Sequence, residues 1–307
     1  MQLEKEYIYQ VYLEGSFSKA AAKLFVTQPA LSIAIRRVEQ ELGSPLFNRN
    51  SRPLKLTQVG ALYIETVKKE YLLEQQLMRQ IHDLQEVKAG EITIGGSHYM
   101  NAYVLPQYVA KFHELYPEVN VNFLETSSDR LISLLAEHQL DLTFSCDAEA
   151  IEQYEHYPAF KDTILLAVPE RFPLPDEVRA KSLIASEVHE CRHLDEAWPS
   201  VELQAFADLD FILLHAPVNL GYRSLKMFEE ANIDPHIIIK VPQMVTTFHL
   251  AEQGLGAAFI SDRLVSGNES NLHFFKINSV HTKRRYSVLL PNNEYTPAAV
   301  RAFIKLF

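Results

Sequence analysis

The sequence predicts a chain in two parts: an all-helical head of about sixty residues, then a longer α/β body reached through one long helix. Three observations carry this. Apolar residues recur at helical spacing in three short runs before Gly43. From Gln58 to about Lys88 there is no proline and a single glycine, Gly60. Beyond Ala89-Gly90, short strand-like runs alternate with helical patterns, which predicts an α/β domain with a largely parallel sheet. With 307 residues, 47% of them apolar and 22% charged, the chain has the composition of a globular protein with two or three cores.

The first helix places Leu3, Tyr7, Ile8 and Val11 on one face and stops at Gly15. Ser18 is the expected cap of the second, which runs through Ala20-Ala21-Ala22 to about Phe25; alanines at that density admit a neighbouring helix closely. After a turn of about two residues, Val26-Thr27, Thr27 is placed to cap a third helix with Pro29 in its first turn, where an N–H is not needed. Leu31, Ile35, Val38 and Leu42 form its inner face. Gln28, Ser32 and Arg36 stack on another face, with Pro29, Ile33 and Arg37 beside them, and Gly43 ends the helix. Such a helix fits the major groove of B-DNA, where Gln pairs with adenine, Arg with guanine and Ser with either. Pro45 to Thr57 then reads as two short strands around a basic turn, with Arg49, Arg52 and Lys55 able to reach phosphates or the minor groove.

Charge distribution agrees with this division. Residues 1–60 hold eight basic and five acidic side chains, a net +3, so the rest of the chain carries −13 of the overall −10. A basic head on an acidic body implies that only the head meets a polyanion. Spacing and charge alone also suit a small solvated helical domain.

Four motifs separate the two readings. Ser16-Phe17-Ser18-Lys19-Ala20-Ala21, Thr27-Gln28-Pro29-Ala30-Leu31-Ser32, Leu42-Gly43-Ser44-Pro45-Leu46-Phe47-Asn48-Arg49 and Leu56-Thr57-Gln58-Val59-Gly60 together resemble the DNA-binding domain of the LysR-type transcriptional regulators. The resemblance implies a winged helix-turn-helix over residues 1–58, with the motif proper at Ser18–Arg37. It also implies that Gln28, Pro29, Ser32, Ile33 and Arg36 face the groove and that Arg49 lies in the wing. Ile33 stands where many relatives carry a polar residue, which points to a thymine methyl. The implied partners are double-stranded operator DNA, a small-molecule effector and further copies of the chain, as homodimer or homotetramer.

Residues 59–89 form the linker, with Leu73, Leu77, Ile81 and Leu84 along one face. This stripe suits either packing on its own domain or dimerisation, and a two-fold reader of DNA needs the second. In the body, strands are expected at 91–96, 119–124, 141–145, 164–168, 211–214, 237–241 and 257–260. Ligands in such sheets bind at carboxyl ends of strands beside helix N-termini. The residues there are Ser97, His98 and Tyr99; Thr126, Ser127 and Ser128; Ser145 and Cys146; and, farther on, His215, Asn219 and Thr246-Thr247. Hydroxyls near helix N-termini suit a small carboxylate, and the same residue types also serve as ordinary helix caps. Val104-Leu105-Pro106, Ile164 to Pro169, Gly254 to Ser261, Arg285 to Leu289 and Ala298 to Phe303 resemble the family's effector-binding domain, which has two lobes like periplasmic solute-binding proteins. On that pattern lobe one is 91–162 with 268–307 and lobe two is 163–267. The chain crosses near Asp162–Thr163 and Leu264–Asn268, and the ligand lies between the lobes.

Other chemistries were weighed. His189-Glu190-Cys191-Arg192-His193 spells the H-E-x-x-H pattern, in which a helix would bring both histidines to zinc with Glu190 as base, the arrangement of a metalloprotease. It lies in a polar stretch, Pro175–Pro199, without a clear third ligand motif, so a helix cap or solvated loop is the expectation and no metal is assigned. Ile94-Gly95-Gly96-Ser97 lacks the spacing of a dinucleotide loop, and no G-x-S-x-G elbow occurs, so no catalytic residues and no cofactor are expected apart from the unnamed co-inducer. Two cysteines, Cys146 and Cys191, make no disulfide framework. The acidic N-terminus is unlike a signal peptide and no apolar run reaches bilayer length, so a cytoplasmic protein without membrane contact is expected.

Overall fold

The computed structural model describes residues 2–49, 51, 53–84, 90–216, 218–292 and 295–307. The chain divides into two compact units, residues 1–85 and 86–307.

The first unit opens with helices α1 (Gln2–Glu14), α2 (Phe17–Lys23) and α3 (Gln28–Glu41). Its core gathers Ile8, Val11, Ala20, Ala21, Leu31, Ile35, Val38, Leu46, Phe47 and Ile64, so the paired alanines do sit where helices approach closely. The cap of α2 is Ser16 rather than Ser18. Ser16 holds an extended backbone and its Oγ accepts from the Lys19 amide at 3.4 Å, while Ser18 is already inside the helix and exposed. The helix also ends earlier than expected. Lys23 is its last residue, Phe25 takes a left-handed φ of 55°, and the Val26 amide donates back to the Ala21 carbonyl, so four residues join α2 to α3. Thr27 caps α3, accepting from the Ala30 amide. Leu42 is its C-cap and is 46% exposed, outside the core expected of it, because Gly43 at φ 67° turns the chain away there. Strands β1 (Phe47–Asn48) and β2 (Lys55–Leu56) pair antiparallel as the wing.

Helix α4 (Gln58–Leu84) starts against this core. A side chain at Gly60 would meet the Leu46 carbonyl oxygen, which explains the glycine. Ile64 and Val67 are buried and Tyr71 packs on Tyr9, but Leu73, Leu77 and Met78 are each more than half exposed. The first half of α4 therefore lies on its own domain, and the second half carries an uncovered apolar stripe.

The second unit continues with β3 (Gly90–Gly96), a single π-helical turn at Met100–Val104, α5 (Leu105–Leu115), β4 (Val119–Glu125), α6 (Ser128–Ala136), β5 (Thr143–Ser145), α7 (Ala148–Gln153) and β6 (Glu155–Pro169). There follow α8 (Asp176–Arg179), α9 (Ala185–His189), β7 (Asp210–Leu214), α10 (Asn219–Glu230), β8 (His236–Val241), α11 (Met244–Glu252), β9 (Ala257–Ser261), β10 (Leu272–Lys276), β11 (Lys283–Leu290) and α12 (Ala298–Ile304). Pairing is parallel for β3 with β4 and for β7 with β8 and β9. It is antiparallel wherever β6 and β11 take part, so the sheet is mixed rather than largely parallel. The reason is the path: a chain that leaves one lobe on β6 returns running the other way.

β6 pairs with β11 up to Thr163, then with β9 from Ile164 and with β10 from Leu165. It thus crosses between two lobes as one uninterrupted strand. The return lies later than Leu264–Asn268, because β10 still pairs with Leu165–Pro169 and the chain rejoins the first lobe at Lys283, opposite Thr163.

Candidate functional site

The exposed face of α3 carries Gln28, Pro29, Ile33, Arg36 and Arg37, while Leu31, Ile35 and Val38 hold the helix down. Arg36 makes no ion pair among the described residues; Arg37 pairs with Glu41 at 3.4 Å. Arg49 is not free in the wing. Its Nη1 donates to Ser32 Oγ at 3.2 Å, its Nη2 to Glu39 Oε2 at 2.9 Å, and its guanidinium lies over the Phe17 ring. Glu39 Oε1 in turn accepts the Leu46 amide at 2.9 Å. Glu39 therefore locks the wing to the recognition helix. Sequence reading passed it over because an acid on a basic head looks like mere solvation. Lys55 is exposed on β2, and its amide donates to Ser51 Oγ. Ser18 and Thr27 are exposed beside this face; Arg52 lies outside the described residues.

In the body the strand-end residues divide. Thr126 sits beside Ser97, since its amide donates to the Gly96 carbonyl. Ser127 is the N-cap of α6 yet makes no side-chain cap bond to the first amides of the helix, which begins at Ser128. Ser145 Oγ accepts the Asp147 amide, and Cys146 Sγ donates to Asn219 Oδ1 at 3.3 Å, joining the end of β5 to the start of α10. Asn219 Oδ1 also accepts from Arg223, whose Nη1 donates to the His281 carbonyl. His98 is turned to Glu125 at 3.3 Å. His215 and Thr246 are exposed, and among the described residues no side-chain hydrogen bond joins them to the others.

Tyr99 has a different place from that expected. It is buried, and its hydroxyl donates to Asp162 Oδ2 at 2.9 Å and contacts Ser261 Oγ at 2.8 Å. Asp162 accepts from Arg284 through Nε and Nη2 in the bidentate manner, and Ser261 Oγ donates to the same carboxylate. Arg284 and Asp162 face each other in the β6–β11 register, at the point where both strands cross between lobes. Burial alone would lower the guanidinium's affinity for its proton, but the groups around it, Asp162 foremost, together hold Arg284 well above its ordinary range. Burial, then the Asp162 charge, pushes the Tyr99 hydroxyl up; burial likewise raises the Cys146 thiol and the Tyr286 hydroxyl. These groups stay neutral around one paired charge. A charged residue in an apolar strand is the sequence signal that could have found them: Asp162 precedes Ile164–Val168, and Arg284 stands near Val288–Leu290.

The zinc-like motif loses its premise. Helix α9 ends at His189, Cys191 turns left-handed at φ 62°, and a separate short turn carries His193. The two histidines thus share no helix face. His193 is buried against Asp262, Nε2 to Oδ2 2.8 Å. Among the described residues no three His, Cys, Asp or Glu gather as a metal site, and both cysteines are free thiols.

A winged helix-turn-helix joined to a two-lobed α/β domain defines a ligand-responsive DNA-binding protein. The model of the bacterial regulatory helix-turn-helix of the lysR family matches residues 5–61, and that of the LysR substrate binding domain matches residues 85–307. The chain belongs to the LysR family of transcriptional regulators. It is 30% identical to a probable RuBisCO transcriptional regulator of Gracilaria tenuistipitata over 298 residues, covering 95% of this chain and 90% of that one. It is 29% identical to a protein of the same description from Synechocystis, over 95% and 81% of the two chains. Full-length CbnR in complex with its target DNA shares the fold at TM-score 0.66 and 17% identity, covering 99% of this chain and 97% of that one. The effector binding domain of QuiR, solved with shikimate, does so at 0.56 and 22%, over 71% of this chain and 95% of its own. Among the described residues no helix is long and apolar enough to cross a membrane.

Proposed function

We propose that the chain acts in the cytoplasm as a homo-oligomer on a partly symmetric operator, with Gln28, Ser32 and Arg36 reading bases and Arg49, Arg52 and Lys55 setting the wing on the backbone. The observation that carries this is the Arg49–Ser32–Glu39 lock, which pre-sets the wing against an α3 face whose Gln28 and Arg36 side chains are exposed. The uncovered stripe at Leu73, Leu77 and Met78 supports pairing of two copies through α4.

The effector in this reading is a small anionic metabolite held between lobes, by Ser97, Thr126, Ser127, Ser145 and Asn219. The N-terminus of α6, and Arg223 beside Asn219, favour negative charge. Lobe one comprises residues from β3 to Thr163 with those after Lys283, and lobe two the span between. Ligand affinity that differs between lobe arrangements then shifts operator binding.

Fluorescence anisotropy on DNA from upstream of the chain's own gene, against scrambled DNA across a salt series, tests the first part. The expected result is a preference of about a thousandfold with a steep salt slope. Equal, weak binding to both duplexes removes this operator; none even at low salt removes the DNA-reading face. Ser127→Ala is expected to blunt the response to a metabolite that shifts the complex, while operator affinity stays as it was.

A further inference from the structure

Between β6 and β7 the chain carries only short helices, and part of it lies along the edge of β10 that β6 leaves open. The Leu183 amide donates to the Phe274 carbonyl at 2.8 Å and the Phe274 amide returns a bond at 2.9 Å. Farther on, the Val201 amide donates to the Lys276 carbonyl, and Lys276 Nζ donates to the Asp195 and Trp198 carbonyls. From Arg171 to Ser182, α8 included, no backbone bond reaches β10 among the described residues. Side chains hold this stretch instead. Val178 is buried in the core of the body, and Trp198 Nε1 donates to the Lys181 carbonyl at 3.1 Å.

His273 lies in β10 with both ring nitrogens buried and neither paired among the described residues. Buried polar atoms ordinarily have partners, so the fold places a titratable ring where an apolar one would cost less. Two charges act on the ring, Arg179 of α8 foremost and Glu170 just past β6. Arg179 is half-buried and makes no ion pair among the described residues. Opposite His273, β6 offers only Leu165 to Pro169. On α9, Glu187 is held by Arg192 and the Ile184 amide, and His189 lies against Gly267. Burial, then Arg179, keeps the ring's proton affinity below its ordinary 6.5, so the ring is neutral while α8 is docked. We propose that residues 171–182 form an acid-released flap: a proton on His273 sets a second positive charge against Arg179 and drives α8 off β10. A released ring regains its ordinary affinity, so below pH 6.5 release takes up a proton that the docked state excludes. The ratio of released to docked chains then rises by up to about tenfold per pH unit, until the docked ring itself titrates.

Trp198 reports on the flap through its bond to Lys181. Acrylamide quenching of its fluorescence in the full chain is followed across roughly pH 5 to 8, where histidine titrates. Far-UV circular dichroism monitors the fold, and hydrogen exchange is read in the peptide 175–183. Quenching and exchange are expected to increase together below pH 6.5 while the dichroism holds. In His273→Leu neither increases. Arg179→Gln, which removes the like charge and keeps the ring, blunts the increase and serves if the leucine variant does not fold. His193→Gln, whose parent ring pairs with Asp262 elsewhere on the same segment, keeps the parent profile. An increase that persists in His273→Leu overturns the proposal, as does its loss in His193→Gln, which would place the switch on the Asp262 pair. So does a parent chain that shows no change before its dichroism collapses, or an Arg179→Gln profile identical to the parent's.

Discussion

The head and the body of this regulator use arginine in opposite ways. In the head, Arg36 stands in solvent on a helix face and makes no ion pair among the described residues, while Arg49 is shared by Ser32 and Glu39 at the wing. In the body, Arg284 is 3% exposed and spends two donors on Asp162, with Tyr99 and Ser261 on the same carboxylate. In the proposed reading the exposed Arg36 serves binding, and such a solvated cation contributes little to folding. The buried pair joins two strands where they cross, and removing either partner alone leaves an unpaired charge in an apolar place.

The contrast breaks most visibly at Asp162. Asp162→Ala is expected to cost the body about 3–5 kcal/mol. Trp198, the single tryptophan, lies in the body and reports its urea unfolding by fluorescence. A shift under 1 kcal/mol would mean that the pair does not hold the crossing. Next comes Arg36→Ala, expected to lose about 1–3 kcal/mol of operator discrimination while the Trp198 transition stays unmoved. A matching loss of stability would sink the idea that head and body keep binding and folding apart.

Smaller effects sharpen the description of each part. Ser16→Ala and Thr27→Ala should each remove about 1 kcal/mol from the head, and Ser18→Ala almost none, read from its thermal transition by circular dichroism. The reverse order for the two serines would restore Ser18 as the cap. In the body, Cys146 is half-buried and Cys191 exposed, so iodoacetamide followed by mass spectrometry should label Cys191 first. Because burial raises the folded value of the Cys146 thiol above its ordinary 9.0, its contribution to stability is complete below that pH. It is lost as pH rises further, and the Trp198 midpoint should decline there. A midpoint that rises above pH 9 would contradict that burial.

Much of the head could be read from its residues. Three helices, the paired alanines, the Thr27 cap and the row Gln28, Ser32, Arg36 on one face of α3 follow from local periodicity and capping, which act within a few residues. The zinc-like string shows the limit of such reading. Its letters were right and its helix was not, since Cys191 reverses the backbone between the histidines. In the body, seven strand positions were legible, but the first part of β6 and the strands β10 and β11 were not, and neither were the direction of pairing and the late return. Tyr99 was assigned to ligand binding by its place at a strand end, and lies instead in the crossing network.

The sequence by itself determined the two-part organisation, the helix with Gln28, Ser32 and Arg36 in one row, and the alternation that builds the α/β body, because each depends on spacing along a short stretch. Only the tertiary structure decided which side chains meet across long separations. Glu39 reaches Leu46 and Arg49; Asp162 meets Tyr99, Ser261 and Arg284; Cys146 meets Asn219. The physical reason is that a buried polar group takes its partners from whatever the packing places beside it, and no periodicity in the chain records that choice.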